Sequence, residues 1–207
     1  MKALTEFQKQ NRQVQVAVGT MADYPLDKFF SNFSINAQQA VLMEQVHGDQ
    51  VAIVDRTHRN PLLAVDGLLT QQSGLYLLVR TADCVPVLLV EASGWVGVVH
   101  AGRVGTQLMI LQKTLKLLQE RGGNLAQTRI FLGPAISVKN YEVNPLTHEH
   151  FDLKLQNKSQ ALEVGVLPEN IFDADICTFE DQQYPSYRRN ATKQRFFSAI
   201  AWNGAKI

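Results

Sequence analysis

A chain of 207 residues, 45% of them hydrophobic and with a formal net charge of +1, has apolar mass for one sizeable core. It carries too little charge to hold nucleic acid or a membrane surface by bulk electrostatics. Two cysteines, Cys84 and Cys177, make no disulfide framework, and the polar start MKALTEFQKQNRQ holds no apolar targeting stretch. The expectation is a cytoplasmic, monomeric protein of one domain, residues 1–207, with a small-molecule substrate and no nucleic-acid or membrane partner.

Residues 1–13 read as a loosely docked polar lead-in. Val14–Val18 alternates as VQVAV, a half-buried strand. Residues 19–36 mix aromatics with turn formers and give no pattern. Ala40–His47 fits helix or strand. The β-propensity of Val51–Val54 favours an extended segment with a turn at Gly48-Asp49, which puts His47 beside that turn. His58, within DRTHRN, reads as an exposed loop histidine. Asp66-Gly67 opens the next unit, and Leu75–Val79 is a strand.

The organising stretch is Val79–Gly105, VRTADCVPVLLVEASGWVGVVHAGRVG. Its apolar runs Val85–Val90 and Trp95–Val99 are short and Val-rich, so they read as buried strands joined at Ala92-Ser93-Gly94. A tight antiparallel connection brings the outer ends together, so Asp83-Cys84 and His100 share one region of space. A helix follows from about Thr106 to Glu120, with Leu108, Leu111, Leu115 and Leu118 as its apolar stripe and Arg121-Gly122-Gly123 as its end. Its N-terminal end would favour an anion at the site. Arg129–Leu132 is a strand stopped by Gly133-Pro134. Pro145–Lys154 looks helical, with a second short helix at Ser159–Val164. Ile171–Cys177 reads as a strand, Tyr184–Arg195 as a cationic loop and Phe196–Trp202 as a final strand. The sum is an α/β (α+β) domain of mixed sheet with covering helices.

His47, Cys84 and His100 carry the strongest chemistry. One thiolate and two imidazoles suit a transition metal, zinc above all, and three ligands leave a fourth position for water or substrate. The spacing matches no short zinc motif, so two other readings stand. One is a metal-free Cys84–His100 nucleophile–base pair. The other is a buried thiol beside histidines satisfied by backbone bonds. Arg103, Arg188, Arg189 and Arg195 either grip phosphate or carboxylate or form a solvated surface. Asp83 either orients a histidine or meets a substrate hydroxyl, or it caps a turn. Gln45 and Asp66 either support the site or satisfy backbone near turns. Cys177 reads as core, and His148 and His150 as solvent-facing residues of a helical stretch.

EQVHGDQV (44–51), DGLLT (66–70), TADCVPVLLV (81–90), VVHAG (98–102), LGPAI (132–136), YEV (141–143), CT (177–178) and SYRR (186–189) occur in the order found in the YfiH/LACC family. The chain resembles that family over roughly residues 40 to 200. The family was first described as multicopper polyphenol oxidases, or laccases, and later as purine nucleoside phosphorylases. The resemblance implies a layered sandwich of mixed β-sheets covered by helices, similar to the catalytic domain of cytotoxic necrotizing factor. It implies a zinc site at His47, Cys84 and His100, with copper as the other metal. It also implies phosphorolysis of adenosine, inosine, guanosine and methylthioadenosine, with adenosine deamination. With that substrate, a purine nucleoside with phosphate, charge and hydrogen-bonding capacity put Arg103, Arg188, Arg189, Asp83 and Gln45 forward as its contacts. The alternatives are copper-linked phenol oxidation, a metal-free Cys–His hydrolase or amidase, and a non-catalytic binding descendant. The chain departs from the family at HAGRVG, where HAGWRG is usual, so Arg103 stands at the tryptophan position and Val104 at the arginine position. The usual GGVS and SLNLG stretches are not visible, and the usual TGR is replaced by Thr192-Lys193-Gln194-Arg195.

Overall fold

The computed structural model describes residues 1–55 and 61–204, so His58 lies outside the described residues. The chain opens with helix α1, Lys2–Gln10, and strand β1, Val14–Val18. The lead-in is therefore a helix and not a loose segment. Ala3, Leu4 and Phe7 fall on one helical face, and Phe7 is fully buried against Phe131 and Phe172. Next come helix α2, Leu26–Asn32, and strands β2, Ala40–Val41, β3, Val51–Ile53, β4, Gly67–Thr70, and β5, Tyr76–Thr81.

The organising stretch supplies β6, Val85–Glu91, and β7, Val96–Ala101, paired antiparallel with Pro86 opposite His100. The helix expected over 106–120 is two helices, α3, Arg103–Gln107, and α4, Ile110–Glu120. Met109 breaks them apart at φ +64°, and Leu108 is turned outward, while Leu111, Leu115 and Leu118 are fully buried. The break is held by buried polar groups. Asn157 Nδ2 donates to Thr106 Oγ1 (2.9 Å), and Gln160 Nε2 donates to the Thr106 carbonyl (2.7 Å).

After β8, Thr128–Leu132, the helix expected at 145–154 is instead a hairpin of β9, Glu142–Asn144, and β10, Glu149–His150. Asn144 turns it by accepting from the Leu146 amide (3.1 Å), the local bond with which Asn competes against helix. Helix α5, Leu153–Glu163, takes its N-cap from Asp152. It starts earlier than the second short helix expected at 159. Strand β11 covers only Ile171–Asp173, helix α6 covers Tyr187–Asn190 and β12 covers Phe196–Trp202.

Two mixed sheets form the body. One runs in the order β1-β12-β5-β2, and the other β11-β8-β6-β7-β4-β3. Val16, Leu77, Val79 and Ile200 of the first meet Leu88, Val90, Val98 and Phe131 of the second in the core between them. Outside the second sheet, α4 and α5 close a further core around Leu111, Leu115 and Ala161. Outside the first, Phe29 of α2 packs on Phe197 with ring centroids 5.6 Å apart. The layers are thus helix, sheet, sheet and helices, the sandwich of mixed sheets that the sequence led us to expect. The link from β5 to β6 carries Ala82, Asp83 and Cys84 from one sheet to the other. No helix among the described residues is long and apolar enough to cross a membrane.

Candidate metal centre and cationic cleft

The β6/β7 register sets Cys84 across from Gly102, just beyond the Val85–Ala101 pair. His100, the last-but-one residue of β7, points into the same space. His47 arrives from the loop between β2 and β3 with its backbone in the left-handed region, φ +62°. A non-glycine residue holds that conformation only when its surroundings over-determine it. Here they do. The buried Asp66 carboxylate accepts from the amides of Val46 (3.1 Å), His47 (3.0 Å) and Gly48 (2.8 Å), and from His100 Nδ1 (2.7 Å). An ionised carboxylate only accepts, so His100 keeps its proton on Nδ1 and presents Nε2 to Cys84.

One donor atom each from His47, Cys84 and His100 lies within 4.8 Å of the others. Among the described residues they form the single such group of three or more His, Cys, Asp or Glu side chains. The rings of His47 and His100 stand edge to face at 4.7 Å. Three features fit a metal. The donors are one soft sulfur and two imidazoles. Asp66 orients one imidazole from behind, as carboxylates do behind metal-bound histidines. Gly102 leaves the room, since a Cβ there would lie 3.0 Å from Cys84 Sγ and 3.2 Å from His47 Cδ2.

Burial alone pushes the Cys84 thiol up, but the charge of His100 and hydrogen bonds from His100 and His47 outweigh it and bring the thiol down to about 6. Burial alone pushes His100 down, and the Cys84 thiolate and Asp66 reverse this, raising it to about 9. The two titrate as one pair, a thiolate–imidazolium between those limits. In metal-free protein, alkylation at Cys84 by iodoacetamide is therefore expected to inflect near pH 6. In His100→Asn the partner charge is gone while burial and the help of His47 remain, so the inflection moves up. Peptide mass spectrometry separates this thiol from Cys177. An inflection unchanged in the variant would show that His100 does not set it.

The cluster opens into a cleft of about 810 Å³, a size that encloses a small ligand. Of the arginine set, Arg103, Arg188 and Arg195 line it, joined by Arg80 and Lys193, and by Tyr141, Tyr187 and Val104. Arg188 Nη1 donates to the Glu142 carbonyl (2.8 Å), and its guanidinium sits 5.1 Å from the centre of the Tyr141 ring. Burial raises the Tyr141 phenol above its ordinary value, opposed by Arg103 and Arg188.

Three residues expected at the substrate are otherwise engaged. Arg189 is absent from the cleft lining, because its guanidinium braces the carbonyls of Thr178, Phe179, Asp181 and Tyr184. Asp83 borders the cleft at φ +83°, with Oδ1 taken by Thr178 Oγ1 (2.7 Å) and Oδ2 by the Arg188 amide (2.7 Å). It is a cap for the start of α6. Gln45 also borders the cleft, but it donates to the Arg80 carbonyl (2.8 Å) and accepts from the Arg80 amide (3.0 Å). Cys177 is not wholly core, since it bonds to Ser137 and Asn140 beside a second hollow. His148 and His150 are exposed, but on the β9–β10 hairpin. Arg80, Lys193 and Tyr141 were missed as cleft residues. For Arg80 a signal existed, a lone cation within the apolar run YLLVRT.

The family model described as multi-copper polyphenol oxidoreductase laccase matches residues 25–152 and 146–203. A purine nucleoside phosphorylase of Campylobacter jejuni is 32% identical over 190 residues, covering 84% of this chain and 82% of its own. One of Aquifex aeolicus is 34% identical over 168 residues, covering 75% and 79%. Among solved structures, YlmD from Geobacillus stearothermophilus superposes with TM-score 0.78 at 27% identity, covering 86% of this chain and 78% of its own. Bacillus licheniformis YfiH superposes with TM-score 0.76 at 25% identity, covering 84% and 78%. The chain therefore belongs to the multi-copper polyphenol oxidoreductase laccase family, the YfiH/LACC family, among whose members are proteins named purine nucleoside phosphorylase.

Proposed function

We propose that the protein is a zinc-dependent purine nucleoside phosphorylase that also deaminates adenosine. The observation that carries this reading is a three-donor cluster, His47, Cys84 and His100, opening into a cleft walled by cations. The names of the relatives support an enzyme of this kind. Adenosine, inosine, guanosine and methylthioadenosine are the proposed nucleosides.

Zinc on the three donors would supply a Lewis acid with one open position. The chain's own groups do the remaining work. Asp66 fixes the His100 ring and the backbone that carries His47. Arg103 and Arg188, both at Tyr141, hold the phosphate dianion in line with the anomeric carbon. Tyr141 keeps its proton on Oη, since burial raises its pKa, and offers a neutral donor beside two cations. Val104 in place of the family's arginine leaves an apolar, partly exposed surface on the cleft wall for the base.

The test is release of adenine from adenosine by zinc-loaded protein, with and without phosphate. Adenine and ribose 1-phosphate are expected only with phosphate, and Cys84→Ala is expected to abolish release. No release at full zinc occupancy, with Cys84→Ala indistinguishable, removes the reading. Inosine formation reads the deaminase separately.

A second reading is a metal-free hydrolase or amidase, favoured by the thiolate–imidazolium pair of Cys84 and His100. Zinc should protect Cys84 from iodoacetamide on the first reading and should be dispensable on the second. Phenol oxidation by several coppers finds less support, because one donor set is on hand among the described residues.

A further inference from the structure

Five cations face the cleft, Arg80, Arg103, Arg188, Lys193 and Arg195. Among the described residues, none of them lies within ion-pair reach of a carboxylate. The one carboxylate on the cleft wall, Asp83, has both oxygens taken by Thr178 and the Arg188 amide. The whole chain carries only +1, so this concentration is not the by-product of a basic protein. Like charges gathered in one cleft repel, and an anionic ligand relieves them.

The five fall into two groups. Arg103 opens α3 directly after β7 of the six-stranded sheet, and Arg188 on α6 meets it at Tyr141, beside the β9–β10 hairpin. Arg80 is on β5 of the four-stranded sheet. The pairs Phe197–Arg80 and Phe196–Thr81 bring Arg195 to the same end of that sheet, with Lys193 two positions before it. Arg195 Nη1 donates to the carbonyls of Thr192 (2.9 Å) and Gln194 (2.7 Å), so its Nη2 and Nε are what it offers an anion. Cys84 lies in the crossing between the sheets. One guanidinium pair is matched to one phosphate, which leaves the Arg80, Lys193 and Arg195 group without an anion.

We propose that the cleft has two anion subsites, one at each group, and that its substrate is a nucleoside carrying its own phosphate, a nucleoside 5′-monophosphate. The proposal rests on the phosphorolytic reading above and extends its substrate class. Inorganic phosphate at Arg103 and Arg188 would form the new C1′–O bond. The C1′–N bond would break with its electron pair on the base, which takes a proton from the attacking phosphate. The products would be free base and ribose 1,5-bisphosphate, with the 5′-phosphate held by Arg80, Lys193 and Arg195 throughout.

Calorimetric titration of zinc-loaded protein with AMP, adenosine and inorganic phosphate tests this. AMP is expected to bind at least about tenfold more tightly than adenosine. It should keep that affinity within about twofold at saturating phosphate, because the two anions occupy different subsites. Lys193→Gln and Arg80→Gln, on separate elements and both exposed, should each lower the AMP-to-adenosine affinity ratio several-fold. AMP no tighter than adenosine, displacement of AMP by phosphate, or a ratio unmoved by both variants would overturn the proposal. The same titrations on Cys84→Ala, which the phosphorolytic reading makes inactive, read binding without turnover. Failure of adenosine phosphorolysis would therefore refute the reaction, and equal AMP and adenosine affinities would refute the second subsite.

Discussion

Asp66→Ala is expected to cost about 3–5 kcal/mol of stability, the range for stripping a buried, paired charge of its role, and to abolish tight zinc binding. The side chain is fully buried. Removing it leaves the amides of Val46, His47 and Gly48 and the Nδ1 of His100 without their acceptor. Each buried donor left unpaired carries its own desolvation penalty. The His47 backbone, held at φ +62°, then has no reason to stay there. Urea unfolding reads the stability, and competition with a chromophoric chelator reads the zinc. Asp66→Asn keeps one accepting oxygen but turns an amide NH₂ toward hydrogen-bond donors, so zinc affinity should fall about 10–100-fold, as for other groups behind a metal ligand. The pH dependence follows from the sign of the shift. Burial raises the Asp66 pKa, but its bonds to His100 and the amides win, and the folded value is lowered. Its contribution is thus full above the ordinary carboxylate range and is lost as acid titrates through the lowered value. The acid limb of the stability curve should be shallower in Asp66→Ala. A variant as stable as the parent, with zinc affinity intact, would show that the His47 loop is held by something else.

What could be read from the sequence was set by the range of the interactions. β1, β6, β7 and β12 are legible because apolar runs bounded by turn formers are local signals, and the β6–β7 hairpin alone carries Cys84 to His100. The fold class follows from the same runs. The break at Met109 is not legible, because what stabilises it is Asn157 and Gln160 of α5 reaching back to Thr106. The α1 helix was overlooked since its face is only Ala3, Leu4 and Phe7 in a polar setting. At the site, residue type indicated Arg103 and Arg188 but also Arg189, which tertiary structure turns to four backbone carbonyls. Charge identity in a loop does not say whether a guanidinium faces a ligand or its own chain. Asp83 and Gln45 show the same limit, as both border the cleft while their polar atoms serve α6 and β5. Arg80 shows the converse, a strand residue that only sheet pairing carries to the cleft rim.

Gly102→Ala and Gly105→Ala, two methyl additions three residues apart, should separate metal binding from folding. At Gly102 the new Cβ would lie 3.0 Å from Cys84 Sγ and 3.2 Å from His47 Cδ2. Both neighbours are side-chain atoms, which rotate away at little cost, so stability should change by less than about 1 kcal/mol. Their rotation removes them from the donor geometry, and zinc affinity should fall by about 100-fold or more. At Gly105 the Cβ would lie 2.6 Å from the Gly48 carbonyl oxygen. That is backbone, in the turn gripped by Asp66, and it cannot rotate aside. Overpacking of this kind costs about 1–3 kcal/mol, shifting the turn beside His47 and weakening zinc through it. Plotted as zinc affinity against unfolding free energy, the first variant should lie low on affinity alone, and the second low on both. If Gly102→Ala kept its zinc at full affinity, the three donors would not meet at the place the backbone leaves open for them. The metal-free pairing of Cys84 with His100 would then have the stronger claim on the cleft.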